Sequence, residues 1–360
     1  MLKDLRSLLY YDKYYKNEVK QISSQKQLKI ASIKKEDMKN RKDTKDLTDC
    51  LSNFGENLKG EYAFLDLIIT DRLLFNFEDV LKFQHIEKLV IKYNDIVDIT
   101  KINELENLID CNISDNAIKV IPEMLNENLL YLDLSNNNLE SFIDLSSLEN
   151  LKKLNLANNK LCQVPNSEVN KSLRELDLSG NNIKDLSSLG QFDNLKILKL
   201  KNCQIKSLKG IKDLSKLTHL DISENSIKSL EPLTCLTYLK TLDISGNNIT
   251  QIFEFKHIKH LSTLISIDVR GNPVTETKFY NQIILHDMPY LLEMDGKCLT
   301  EKEFVETEVF FGADLKDKKE IAEKYLGKGN FEDNRLVHST MKEFKEIITE
   351  PPKLYKADFF

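Results

Sequence analysis

The chain has 360 residues, 41% of them hydrophobic, with 51 Lys/Arg against 57 Asp/Glu for a net charge of −6. No apolar run approaches the roughly 18–20 residues that a membrane span needs, so no membrane insertion is expected. Six cysteines (Cys50, Cys111, Cys162, Cys203, Cys235 and Cys298) are scattered singly; this disfavours a zinc framework and a disulfide scaffold and points to a reduced compartment.

The first stretch, "MLKDLRSLLYYDKYYKNEVK", has scattered charges and no small-residue cleavage site, unlike a secretory signal. Residues 1–60 hold 14 Lys/Arg against 9 Asp/Glu and are expected to form a basic helical or coil extension. That balance suits a solvated helical face, or contact with an acidic partner. Within it, residues 31–48 are very polar and fit a connector.

From residue 64 onward one frame recurs, L-x-x-L-x-L-x-x-N-x-L. It is clear at Leu129–Leu139, Leu151–Leu161, Leu173–Ile183, Leu217–Ile227 and Leu239–Ile249. Looser copies begin at Phe64, Ile86, Leu108, Leu195 and Leu264. Successive starts are 22 residues apart, with one spacing of 21 and one of 25. In "LRELDLS", Leu176 and Leu178 alternate with polar residues, which predicts a short strand with one buried face. Asn181 then falls where the chain turns, and its amide suits backbone groups that would otherwise be buried unpaired. Ile183, Leu186, Leu189, Phe192 and Leu195 follow at period three, which suits a 3-10 segment. Pro122 and Pro165 predict extended backbone in their units instead. No such unit buries its apolar residues alone, so stacked neighbours must share one core. Ten strands spaced at ~4.8 Å give a parallel sheet roughly 43 Å long.

The frame is identified as a leucine-rich repeat, with the resemblance covering roughly residues 61–296. It is most similar to the intracellular 22-residue subclass typified by the regulatory subunit of type-one protein phosphatase. The resemblance implies an α/β fold: a curved right-handed solenoid with a parallel sheet on the concave face and short 3-10 or α turns on the convex face. The stretch "GNPVTETKFYNQIILHDMPYLLEMDG" at 271–296 places Phe279, Ile283 and Ile284 on one helical face before Pro289. It resembles the C-terminal cap of the spliceosomal A-prime protein and of the axonemal dynein leucine-rich-repeat light chain. Asn272, Pro273, Tyr280, Pro289, Leu291, Asp295 and Gly296 carry that resemblance, with Met294 departing from the usual leucine. Residues 297–360 are expected to be a charged helical extension and tail, with Thr300 and Glu303 as a capping box and a break near Gly312.

A phosphate-binding loop and a nucleophile motif are missing from the sequence, and His257 with His260 lacks a third ligand. Catalytic, metal and cofactor residues are therefore not expected. Cys111 and Cys203 occupy strand and ladder positions and are taken as buried structural residues. The outward strand positions form one column containing Asp133, Asp177, Lys199, Asp221, Asp243 and Asp268, and a second containing Lys201 and Arg270. Tyr131, Ile197 and His219 stand out beside them, and all eleven are candidate partner contacts. An acidic face disfavours direct nucleic-acid binding. The expected function is a non-catalytic protein-binding scaffold, monomeric within a larger complex, in the cytoplasm, with the cilium, the cytoskeleton and the nucleus as alternative settings. Two alternatives are a regulatory subunit of type-one phosphatase or of a Rab geranylgeranyltransferase-like enzyme, and a ribonucleoprotein component acting through a protein partner. The Rab enzyme enters through loose similarity of "YYDKYYKNEV" and "EYAFLDLIITDRLLFNFEDVLKFQHIEKLVI" to its alpha subunit, whose helical prenyltransferase repeats are missing here.

Overall fold

The protein is represented by a computed structural model that describes residues 47–311, apart from positions 58, 73, 75 and 167–169. The chain divides into two units, Met1–Asp49 and Cys50–Phe360, and nearly all described residues belong to the second. The arm before residue 47, the second helix expected after Gly312 and the final tail lie outside the described residues.

The second unit is an open sheet of 13 strands laid down in chain order. β1 (Leu51–Glu56) pairs antiparallel with β2 (Tyr62–Thr70). Parallel pairing then runs through β3 (Lys88–Lys92), β4 (Asp110–Asn112), β5 (Tyr131–Asp133), β6 (Lys153–Asn155) and β7 (Glu175–Asp177). It continues through β8 (Ile197–Lys199), β9 (His219–Asp221), β10 (Thr241–Asp243), β11 (Ser266–Asp268) and β12 (Glu293–Met294). β13 (Lys297–Cys298) closes the series antiparallel to β12. This is the leucine-rich-repeat solenoid that the 22-residue frame predicts.

Each frame leucine faces inward. Leu176, Leu178, Ile183, Leu186, Leu189, Phe192 and Leu195 are all buried, and the equivalent residues of neighbouring units pack above and below them. At roughly 2 kcal/mol for each large apolar side chain, this burial is the main stabilising term. The period-three stretches form 3-10 turns at Phe77–Lys82, Ser187–Gln191, Glu231–Cys235 and Ile252–His257. Three residues per turn keeps one apolar row facing in. Among the described residues, the segments carrying Pro122 and Pro165 form no such turn. In the longest unit Ile252, Phe255, Ile258, Leu261 and Leu264 all stay buried, so the insertion does not break the apolar row.

A ladder of asparagines, all buried except half-buried Asn116, ties each unit to the one before it. Asn181 donates from Nδ2 to the Leu156 carbonyl (2.9 Å) and the Leu178 carbonyl (2.9 Å), and its Oδ1 accepts the Leu161 N–H (3.0 Å). The same pattern recurs at Asn116, Asn137, Asn159, Asn225, Asn247 and Asn272. Cys203 interrupts it. Its thiol donates to the Leu178 carbonyl (3.2 Å) and the Lys201 carbonyl (3.5 Å). Among the described residues, however, no acceptor is hydrogen-bonded to the buried N–H of Ile183.

The amino end differs from the expected helix or coil. Residues 51–56 are a strand, because the sequence from Asn57 to Gly60 folds back as a tight turn. Asn57 Oδ1 accepts the N–H groups of Lys59 and Glu61 (both 2.9 Å), and Gly60 holds φ +79. At the carboxyl end, α1 (Tyr280–Asp287) buries Ile283 and Ile284. Phe279 is not on its helical face; it precedes the helix with φ +65, and its ring meets Phe310 of α2 (Glu301–Phe311) at 4.7 Å. Asp295 and Gly296, with φ +55 and +73, make a two-residue turn between β12 and β13. The Asp295 carboxylate accepts the Tyr280 hydroxyl and the Val269 N–H, tying α1 to the last turn. Before α2 the Glu303 carboxylate accepts the Thr300 N–H (2.7 Å), as expected of a capping box.

Candidate protein-interaction face

Alternation along each strand sends every second side chain out onto the open face of the sheet. Adjacent strands pair in register, so these side chains stack into columns. Three columns form, not two. Tyr131, Ile197 and His219 do not break a column; they belong to a first one with Lys88, Asp110, Lys153, Glu175, Thr241 and Ser266. The second holds Val90, Asn112, Asp133, Asn155, Asp177, Lys199, Asp221, Asp243 and Asp268. Lys201 and Arg270 lie two residues further along their chains, where the strands exit.

The aspartates serve the chain itself. Oδ1 of Asp133, Asp221 and Asp243 each accepts the N–H (3.0 Å) and the hydroxyl (2.6 Å) of the serine two residues on. Asp177 accepts the Ser179 N–H, and Asp268 the Arg270 N–H. Asn112 and Asn155 do the same for Ser114 and Ala157. A short side-chain acceptor at this position closes a local turn where the strand ends. Burial raises the Asp243 carboxyl above the usual carboxylate range, and Asp221 and Asp268 on either side push it the same way.

Five of the cations are matched too. Lys199 pairs with Asp177 (3.6 Å), Lys201 with Glu224 (3.0 Å) and Arg270 with Asp268. Lys88 with Asp110 (3.1 Å) and Lys153 with Glu175 (2.8 Å) extend the pattern. Such exposed pairs are worth at most about 1 kcal/mol each, so a partner could exchange them at little cost. Tyr131, 43% exposed, stands beside a shallow depression lined by Asp110, Asn112, Asp133, Lys153 and Asn155. Ile197 is half-buried; His219 is exposed, with Nδ1 hydrogen-bonded to the Thr218 hydroxyl (2.8 Å).

A cluster not anticipated from the repeat lies at the amino end of this face. Phe54 pairs across strands with Phe64, their ring centroids 5.3 Å apart, and Tyr62 lies 6.3 Å from Phe54. All three are exposed, at 64%, 46% and 72% for Phe54, Phe64 and Tyr62. Asp66 and Ile68 of β2 register with Lys88 and Val90, so Tyr62 and Phe64, which alternate with buried Leu65 and Leu67, share the columns' face. Ile68 and Val90 extend the apolar surface along β2 and β3. The signal is present in "YAFLDLIIT", where residues 62, 64, 66 and 68 form the outward set of one alternation and three of the four are apolar or aromatic.

Family comparisons agree with the fold. A model described as leucine-rich repeat matches residues 167–324, and a second matches 128–151 and 150–171. Together they run from residue 128 to 324, and over that stretch the chain carries leucine-rich repeats. A bovine (Bos taurus) relative, leucine-rich repeat-containing protein 51, is 32% identical over 76 residues. That match takes in 21% of this chain and 40% of the relative, so the chain spans well under two thirds of its length. Among solved structures, an internalin (inlF) from Listeria monocytogenes is 22% identical with a TM-score of 0.40, covering 65% of this chain and 83% of that one. InlJ of the same bacterium gives 18% and 0.41, with coverage of 67% and 66%. A TLR13–ssRNA13 complex gives 19% and 0.49, with coverage of 66% and 42%.

Proposed function

We propose that the protein is a non-catalytic scaffold that holds a protein partner against its concave face. The observation that carries this is the exposed cluster of Phe54, Tyr62 and Phe64, continuous with Ile68 and Val90 and followed along the sheet by Tyr131. Binding energy concentrates in aromatic anchors, and exposed apolar patches on soluble proteins mark contact surfaces. The anchors sit at the amino end, and the remaining candidate contacts are Asp133, Asp177, Ile197, Lys199, Lys201, His219, Asp221, Asp243, Asp268 and Arg270. These supply a polar, charge-paired field that sets register more than affinity. The sheet is long enough for the ~800 Å² per partner of a typical interface.

A second reading, that of an enzyme's regulatory subunit, gains support from the same aromatics. The 22-residue periodicity resembles the phosphatase-regulator subclass, and such an interface would present several aromatic anchors. The resemblance of residues 271–296 to the A-prime and axonemal cap favours a cytoplasmic, ciliary or nuclear assembly. The test is purification of the tagged full-length protein from its native cells with cross-linking and mass spectrometry, beside a Phe54→Ala/Phe64→Ala variant. Loss of one abundant partner in the variant, with Lys88, Lys199 or Lys201 cross-linked to it in the parent, supports the scaffold. Retention of that partner by the variant, with cross-links confined to residues outside 50–311, refutes it.

A further inference from the structure

Most cations of the concave face are paired across strands; those along the edge where the chain enters the sheet are not. Residues just before each strand lie where the chain enters the sheet, and units 22 residues apart place them one above another. In the middle units these positions hold Lys152, Arg174, Lys196 and Lys240, with Thr218 in the gap. Lys171 and Lys216, in the turns leading to the same strands, join the row. All are exposed except Arg174, which is half-exposed. Among the described residues none of the six is in an ion pair, although Glu149 and Asp193 lie on the same edge. Arg174 donates to the Lys171 and Leu173 carbonyls, and Lys216 to Asn194 Oδ1 (2.5 Å). Those contacts hold the side chains and leave the charges outside any ion pair.

We propose that this edge is a second docking surface, for an acidic polypeptide segment of a partner. The row is single file, and four units from Lys152 to Lys240 at ~4.8 Å each give a length of roughly 19 Å. A helix bearing a carboxylate on each turn repeats at about 5.4 Å, close to the spacing of the cations. Single-stranded nucleic acid is the poorer match, because it binds by stacking on successive aromatics. From Lys152 to Lys240 the row offers one exposed aromatic, Tyr238 at its far end, among the described residues. Each contact here is an exposed, screened pair worth up to about 1 kcal/mol, so it is the row acting together that selects an acidic segment. The proposal does not rest on the concave-face reading, and its test leaves that face untouched.

The probe is a fluorescent helical peptide of roughly 16 residues, with glutamates at i and i+4, long enough at 1.5 Å per residue to span the row. Anisotropy titrations with the full chain should show binding that weakens steeply with salt. Lys152→Ala/Lys196→Ala/Lys240→Ala should weaken it roughly tenfold, and the triple arginine variant should keep it. Lys184, Lys206 and Lys228 follow the turns on the opposite edge, with similar exposure. Their triple alanine variant removes the same charge and should change affinity by less than about twofold. Equal weakening by both alanine variants would mean attraction to net charge and would overturn the proposal. So would no binding at roughly 100 µM peptide, or tighter binding of an equally charged oligonucleotide lost in the first variant.

Discussion

Replacing Cys203 with asparagine should stabilise the protein, although the position is fully buried. At the other ladder positions an amide donates to two or three carbonyls and its oxygen accepts the N–H of the first apolar residue after the preceding turn, as Asn225 does for Ile205 (2.9 Å). Cys203 keeps the donor half in weakened form, its thiol pushed up to about 11 mainly by burial, and has no acceptor for the Ile183 N–H. Leaving one buried donor unmade costs about 1–3 kcal/mol, and a thiol is a weaker donor than an amide. The small increase in side-chain volume offsets part of the gain. Cys203→Asn should therefore add about 1–2 kcal/mol. In urea, at a slope near 3 kcal/mol/M, the midpoint should rise by roughly 0.5 M with the slope unchanged. The reciprocal Asn225→Cys should lower it by a similar amount or more. An unchanged or lower midpoint for Cys203→Asn would refute the assignment of an unsatisfied donor at this junction.

Four further outcomes follow from the same geometry. Tyr280→Phe removes the hydroxyl bonded to Asp295 and should cost about 1.5–3 kcal/mol by urea unfolding, as expected for a hydrogen bond to a charged acceptor. Gly210 holds φ +99, and an added Cβ would meet the Leu186 carbonyl oxygen at 2.2 Å, so Gly210→Ala should destabilise by more than the ~1 kcal/mol that such a change gains at a compatible site. Asp243 has a folded-state pKa above its unfolded value, so its ionisation opposes folding; that penalty is full at neutral pH and disappears below the unfolded value near 4. Asp243→Asn should thus raise the melting temperature at pH 7 and lose that advantage near pH 4. Phe54→Ala/Phe64→Ala should leave the melting temperature within a few degrees of the parent, since both rings are exposed, while weakening partner capture at least tenfold.

The parallel strands could be located from sequence because a 22-residue period forces Leu176, Leu198 and Leu220 into the same place in successive turns. The ladder was equally legible: an asparagine at the exit of a repeat strand has one set of backbone groups within reach. β1 escaped because "LSNFGE" has no buried alternation; it is an edge strand that exposes Asn53 and Phe54, and its register comes from a hairpin outside the repeat. The first outward column is not legible in the sequence beyond its conspicuous members, Tyr131, Ile197 and His219, because no spacing rule marks a column's plain members. Ion pairing depends on how far a lysine reaches across strands. Lys153 finds Glu175 (2.8 Å), whereas Lys152, one residue earlier, lies beyond the strand and finds no acid among the described residues.

Both ends of the parallel ladder run backwards. β1 and β13 each reverse direction against their neighbour, through the turns at Gly60 and Asp295–Gly296. A second molecule could prolong the superhelix only by laying a strand parallel to β2 or β12 in the repeat's own register, and those seats are taken by strands of the wrong polarity. The two hairpins thus act as terminators, giving a structure that could in principle be extended without limit a fixed count of turns and discouraging open-ended head-to-tail fibres.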